Sequence, residues 1–384
     1  MLAALLIGCL ALQPVEVPFR VGADAIVLDL EVNGRKVSAM FDTGFSGTLA
    51  IQEGVNIGAA SGTQRLRDFV GSFEAKTVPI KTLRLGGRDL AAPDMSAVQK
   101  PMGHMTASYN THTDGILGFE PFRDHVLEIN FARKVLVIHP SSHDVSARTP
   151  DGDRTFLTRL LPIGHDSLEM SAVTPSGKRM TLALDTGNAF FAVTHRDVLE
   201  RTELWDPKAE PRFLKQAYVA SGLVDNFLKR MPPMTVFGVP IGSSVWSIIA
   251  LPSSTAESDG TVGFGFLKHF NTTIDFGRRR VWFERVSDKV ENDAPAEVGL
   301  IARRAPRETR FTVVRIVKGG PAEQVGVREG DQLLGVDGQD LVNLADKDVE
   351  QLLEGAAGTE VRLALSRHGA PIRVAAVRQS LVNP

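Results

Sequence analysis

Apolar and polar residues alternate in short runs along the chain as far as about residue 286. Ala25-Ile26-Val27-Leu28-Asp29-Leu30, Val135-Leu136-Val137-Ile138 and Val281-Trp282-Phe283 are examples, with Gly, Asn and Pro between the runs. A two-residue period of this kind belongs to strands with one buried face, so the stretch is predicted to be mainly β. Two polar stretches, residues 140–154 and 287–296, carry no periodicity and are predicted linkers. Beyond them, from about Glu297, the texture changes.

The first 286 residues contain a repeat. Gly34-Arg35-Lys36-Val37-Ser38-Ala39-Met40-Phe41-Asp42-Thr43-Gly44 aligns without gaps on Gly177-Lys178-Arg179-Met180-Thr181-Leu182-Ala183-Leu184-Asp185-Thr186-Gly187. Each reads as a short hairpin, an apolar strand and then Asp-Thr-Gly. Asp114-Gly115-Ile116-Leu117-Gly118-Phe119 likewise matches Asp259-Gly260-Thr261-Val262-Gly263-Phe264, and Ile129-Asn130-Phe131-Ala132-Arg133 matches Ile274-Asp275-Phe276-Gly277-Arg278. The two landmarks are 72 residues apart in one half and 74 in the other, so a duplicated lobe is expected. The predicted order is an N-terminal segment (1–19), a first lobe (20–139), a linker, a second lobe (155–286), a linker and a small α+β domain (297–384).

A carboxylate just past an apolar strand is held rigidly at the edge of a core, where its pKa can be tuned. The glycine after it lets backbone N–H groups approach, and the threonine hydroxyl can bond across an interface. One Asp-Thr-Gly is also ordinary turn chemistry, but two in the same repeated context point to a paired site. Brought within hydrogen-bonding reach, Asp42 and Asp185 would share a proton and supply an acid and a base at one point.

These residues resemble the pepsin and retropepsin-like aspartic proteases over about residues 20–286. Phe41-Asp42-Thr43-Gly44 and Leu184-Asp185-Thr186-Gly187 look like the family's two catalytic motifs, and Ile116-Leu117-Gly118 and Thr261-Val262-Gly263 like its hydrophobic-hydrophobic-Gly segments. The resemblance implies a bilobal β fold and an aspartic endopeptidase with Asp42 and Asp185 catalytic. Thr43, Gly44, Thr186 and Gly187 would support the dyad, and neither a cofactor nor a metal is expected. The alternative is a catalytically inactive scaffold of that fold carrying a peptide-binding module. Two departures matter. After each glycine the family usually has Ser, Thr or Ala, whose hydroxyl can bond the carboxylate, whereas this chain has Phe45 and Asn188, from which a less acidic pH optimum is expected. The flap hairpin expected around Thr63 to Thr77 offers Phe69 and Phe73 to the cleft in place of the family's tyrosine.

The C-terminal unit resembles a PDZ domain of the bacterial type as far as about Arg378. Val313-Val314-Arg315-Ile316-Val317, Gly319-Gly320-Pro321-Ala322 and the run from Val325 to Gly338 carry the likeness. It implies a peptide ligand added to an open strand edge, with a carboxylate-binding loop at Gly299, Leu300 and Ile301 and a helix at Asp348 to Leu353 as the opposite wall.

Composition excludes more than it suggests. In 384 residues, 43 Lys and Arg balance 45 Asp and Glu, which leaves no basic footprint for nucleic acid. The single cysteine, Cys9, rules out an intramolecular disulfide and any multi-cysteine metal site. It ends Leu6-Ile7-Gly8-Cys9 inside the apolar run Leu2 to Leu12, which reads as a signal segment with Cys9 as a candidate lipidation site. Export to a bacterial periplasm, by signal or lipid anchor, is therefore expected, with secretion as the alternative. No Gly-x-Ser-x-Gly, His-Glu-x-x-His or phosphate loop occurs in the sequence, and the expected partners are protein or peptide substrates.

Overall fold

The computed structural model describes residues 13–67, 72–102, 111–162, 167–219, 222–253, 258–305 and 308–384. The protein is mainly β with few helices. Contacts divide it into two compact units, the first holding the described residues up to Pro207 with Tyr218–Val224 and Met231–Asn292. The second holds Lys208–Ala217, Asp225–Arg230 and Asp293–Pro384.

The first half of the first unit supplies β1 (Val15–Pro18), β2 (Arg20–Val21), β3 (Ile26–Val32), β4 (Arg35–Phe41), β5 (Leu49–Gln52), β6 (Gly62–Arg67), β7 (Ser72–Pro79), β8 (Leu83–Leu85), β9 (Arg88–Asp89), β10 (Ser96–Lys100), β11 (Gly115–Leu117), β12 (Val126–Asn130) and β13 (Val135–His139). After them come β14 (Thr155–Arg159), β15 (Glu169–Val173), β16 (Arg179–Leu184), β17 (Ala192–His195), β18 (Lys215–Val219), β19 (Gly222–Met231), β20 (Met234–Val236), β21 (Val239–Ile241), β22 (Ser244–Ile249), β23 (Gly260–Val262), β24 (Phe270–Asp275) and β25 (Arg280–Arg285).

One sheet has the order β6-β7-β10-β5-β11-β4-β3-β8-β9, with β2 on β3, and another β18-β19-β22-β17-β23-β16-β15-β20-β21. The two orders correspond strand for strand. In each, the short strand of the second landmark runs parallel to the strand that leads into Asp-Thr-Gly: β11 beside β4, and β23 beside β16. A third sheet, β1-β13-β12-β24-β25-β14, joins the halves through an antiparallel pairing of β12 with β24, Ile129 opposite Thr272 and Leu127 opposite Ile274. The repeated segments that end in Asn130 and Asp275 thus lie side by side. Each closes its turn in the same way, Asn130 accepting from the Arg133 N–H at 3.0 Å and Asp275 from the Arg278 N–H at 2.9 Å.

Local chemistry explains these elements. Strand β3 turns into β4 through Asn33 and Gly34 at φ 50° and 80°, the left-handed pair that a tight hairpin requires. Alternate residues of β3 and β4, among them Leu28, Leu30, Val37, Ala39 and Phe41, enter the core. Phe41 is fully buried against Phe122, their rings edge to face at 5.6 Å, and such burial stabilises by about 1.5–3 kcal/mol. This packing fixes the strand end from which Asp42 projects.

The second unit folds β26 (Leu300–Arg303), β27 (Phe311–Ile316), β28 (Gln332–Val336), β29 (Gln339–Asp340), β30 (Glu360–Arg367) and β31 (Ala370–Val377) into a sheet of order β26-β27-β28-β30-β31, with β29 on β28. Asp337 and Gly338, at φ 50° and 86°, make the hairpin turn between β28 and β29. The helix Asp346–Leu353 sends Val349 and Leu353 into a core shared with Leu300, Ala302, Phe311 and Leu333.

Candidate active site at the crossing of two Asp-Thr-Gly turns

Strands β4 and β16 deliver their Asp-Thr-Gly turns to one point, where the turns are stitched together by reciprocal hydrogen bonds. The Thr43 hydroxyl donates to the Leu184 carbonyl at 2.8 Å and accepts from the Thr186 N–H at 3.0 Å; the Thr186 hydroxyl donates to the Phe41 carbonyl at 2.7 Å and accepts from the Thr43 N–H at 3.0 Å. Both threonines are buried, so these bonds form without competition from water. Each glycine lies beneath the opposite carboxylate. A methyl group on Gly44 would come within 2.7 Å of the Asp185 carboxyl, and one on Gly187 within 2.6 Å of that of Asp42. The close approach explains the glycines, and it sets the two carboxyls against each other.

The carboxyls hydrogen-bond one another. Burial pushes Asp42 well above the usual carboxylate range, the Asp185 charge and the shared hydrogen bond add to the rise, and the N–H groups of Gly44 and Gly187 oppose it. Burial raises Asp185 too, but it is countered by hydrogen bonds from Asp42, from the Gly187 and Asn188 N–H groups at 2.9 and 3.1 Å, and from the Thr261 hydroxyl. The pair therefore binds a proton more tightly than two isolated carboxylates would. Such a site can donate and accept a proton at adjacent atoms.

In the sequence Thr261 falls at one of the apolar positions before Gly263, and nothing local marks it as a site residue. Its signal is the contrast with Ile116 at the matching position. Asn188 brings no hydroxyl to Asp185, but Thr261 supplies one from the neighbouring strand. Phe45 instead joins an apolar cluster with Met40, Ala50, Val98, Met102 and Ile116.

The hairpin expected over residues 63–77 is present as β6 and β7, paired from Gly62 opposite Thr77 to Arg67 opposite Ser72. Phe73 is half-buried there with the Lys100 ammonium 3.8 Å from its ring centroid. Phe69, Cys9 and the N-terminal run lie outside the described residues.

In the second unit Gly299 has the left-handed φ of 74° that suits an anion-binding loop. The two residues after it are not open to a ligand through their side chains. Leu300 belongs to the core, and Ile301 is buried with Phe213, Val317 and Leu381. The opposite wall is the expected helix, whose Glu350 pairs with Arg303 of β26 at 2.6 Å. Lys215 is bound between Glu297 at 2.9 Å and Glu354 at 3.4 Å. Burial disfavours its charge, but the two carboxylates outweigh that and keep the ammonium above its ordinary pKa.

Comparison with known proteins bears out the expected PDZ domain. A PDZ domain model matches residues 312–367. "Carboxy-terminal processing protease CtpA" of Bacillus subtilis is 27% identical over 100 residues, 26% of this chain and 20% of that protein. "Carboxyl-terminal-processing peptidase 3, chloroplastic" of Arabidopsis thaliana is 34% identical over 105 residues, 27% and 20% respectively. A solved PDZ domain of the carboxy-terminal protease from Vibrio cholerae, in complex with peptide, is 27% identical over 23% of this chain and 96% of its own, at a TM-score of 0.21. The chain spans about a fifth of the length of the curated relatives it matches. It carries a PDZ domain. The expectation of an aspartic endopeptidase, together with its alternative of an inactive scaffold of that fold, is corrected by these names, which are those of carboxy-terminal processing proteases and include no aspartic type. The physical reason is that a pair of carboxylates sharing a proton is an acid–base device that many reactions can use, so the Asp-Thr-Gly turns do not by themselves name the reaction.

Proposed function

We propose that the chain is a hydrolase of protein processing that takes hold of its protein substrate through the PDZ domain, with Asp42 and Asp185 as its catalytic pair. The observation that carries this reading is the PDZ domain, in a chain whose matched relatives are named as processing proteases. A PDZ domain binds an extended peptide along a strand edge, and β26 is the edge strand of its sheet here. In this reading the left-handed Gly299 shapes the backbone that receives the peptide end, while Leu300 and Ile301 brace it from within. The one-proton carboxyl pair supports the catalytic assignment, and the matching strand orders support two duplicated lobes at 20–139 and 155–286, with linkers at 140–154 and 287–296. Export, with a signal or a lipid on Cys9, belongs to the same proposal.

The test is incubation of the full chain with an unfolded reporter protein, followed by mass spectrometry of the products. Shortened reporter is expected from the natural chain and not from Asp42→Asn or Asp185→Asn, and removing the reporter's last residues should slow its processing by roughly tenfold, about 1.4 kcal/mol of lost binding. No shortened product, or equal product from either variant, overturns the reading.

A further inference from the structure

The two Asp-Thr-Gly turns are stitched by matching bonds but differ in polarity at two positions beside each carboxyl. Phe45 and Ile116 stand beside Asp42; Asn188 and Thr261 stand at the matching places beside Asp185. Resting on the reading of these carboxyls as the reactive pair, we propose that Asn188 and Thr261 are positioning residues that keep Asp185 ionised and so place the shared proton on Asp42.

The hydrogen bonds run in one sense. The Phe190 N–H donates to the Asn188 Oδ1 at 2.9 Å, which orients the amide and leaves its Nδ2 to donate to the Thr261 Oγ1 at 2.8 Å. A hydroxyl has a single proton to give, and with Oγ1 accepting from Asn188 that proton is directed to Asp185. Thr261 is buried on β23, so water does not compete for it. The Asn188 N–H adds a second donor at 3.1 Å. Donors favour the ionised form of a carboxyl, and an apolar surround favours the neutral one. Phe45 and Ile116 carry no donor and pack in an apolar cluster, so the two sites are biased in opposite directions.

Among the described residues, the charged group acting on Asp42 is Asp185. The acidic residues just before β11 and β23 are already engaged: Asp259 accepts from the Thr181 N–H at 2.8 Å and from Arg201 at 2.6 Å, and Asp114 from the Ser38 N–H at 2.9 Å with His112 beside it. Arg35, Lys36 and Arg179 lie at the far ends of β4 and β16 from the carboxyls, on exposed positions. Neutral Asp42 is then the donor of the pair and ionised Asp185 its acceptor, an assignment that the turn motifs alone leave open.

Carboxyl ¹³C resonances of aspartate-labelled full chain, followed from acid to neutral pH, test this. Asp42→Asn and Asp185→Asn assign the two buried signals by which one each removes. Asp185 is expected to ionise first, with Asp42 still protonated above it. Thr261→Val should raise the Asp185 transition by about one pH unit, and Asn188→Ala should raise it less. The converse double variant, Phe45→Asn with Ile116→Thr, should lower the Asp42 transition, which keeps the test open if Thr261→Val folds poorly. An Asp42 signal that ionises first, or transitions that stay in place in every variant that folds, overturns the proposal. Because the readout is protonation and not product, it stands or falls separately from the catalytic reading.

Discussion

Around Asp42 the turn is backed by two apolar side chains and around Asp185 by a polar pair, whereas the four bonds that stitch the turns together are the same in both directions. What the halves share is the frame: strand order, threonine bonds and glycines beneath carboxylates. What they do not share is the polarity of the surround. Two matching turns can thus hold two like groups at one place while giving them unlike proton affinities, since the frame sets distance and the surround sets pKa.

The largest effect should come from breaking what is shared. Thr43→Val removes a hydroxyl that both donates and accepts, leaving the Leu184 carbonyl and the Thr186 N–H buried without that partner. Each such group costs about 1–3 kcal/mol, so a loss of about 2–6 kcal/mol is expected in urea unfolding. Thr186→Val should cost the same within about 1 kcal/mol, because its bonds mirror those of Thr43. Markedly unequal losses would mean that the frame is not symmetric.

A smaller effect should expose what is unlike. Both carboxyls have folded pKa values above the unfolded ones, so the folded chain binds the shared proton more tightly than the unfolded chain does. That contribution is complete below the unfolded carboxylate range, near pH 4, and is lost as pH rises through the folded values. Asn mimics the protonated form. Asp42→Asn should therefore stabilise the protein by about 1–3 kcal/mol at pH 7 and by little near pH 3, flattening the dependence of the unfolding midpoint on pH. A midpoint at pH 7 equal to or below that of the natural chain would contradict the paired-carboxyl account.

Much of this frame is legible in the sequence because its signals are local and occur twice. The gap-free match from Gly34 to Gly44 on Gly177 to Gly187 locates both turns, the Asp337-Gly338 hairpin is readable from turn chemistry, and the helix ending at Leu353 follows from the likeness to a PDZ domain. Thr261 was missed because a buried threonine on a short strand is indistinguishable in pattern from its apolar counterpart Ile116; only its amide neighbour Asn188, 73 residues earlier, gives it a role. The burial of the Ile301 side chain against Phe213 and Leu381 is likewise invisible in the sequence. That packing joins segments distant in sequence, so no local periodicity reports it. The grouping of Lys208–Ala217 and Asp225–Arg230 with the C-terminal unit was unreadable for the same reason.

Asp331 of the PDZ domain extends the comparison to a carboxylate held charged instead of neutral. Arg367 grips it through two nitrogens at 2.7 and 2.9 Å, and the Arg328 N–H donates to it at 2.8 Å. The guanidinium is the chief reason that Asp331 lies below the usual carboxylate range. Its sign is therefore opposite to that of the paired carboxyls: the stability it contributes is present above about pH 4 and lost as pH falls through the folded value. Arg367→Met should leave Asp331 without its cation, moving its transition up toward the ordinary range and lowering the unfolding midpoint at neutral pH by less than Thr43→Val does. The aspartate-labelled ¹³C titration reads this directly. An Asp331 transition unmoved by Arg367→Met would assign the shift to the Arg328 N–H, making backbone geometry and not a paired charge the cause.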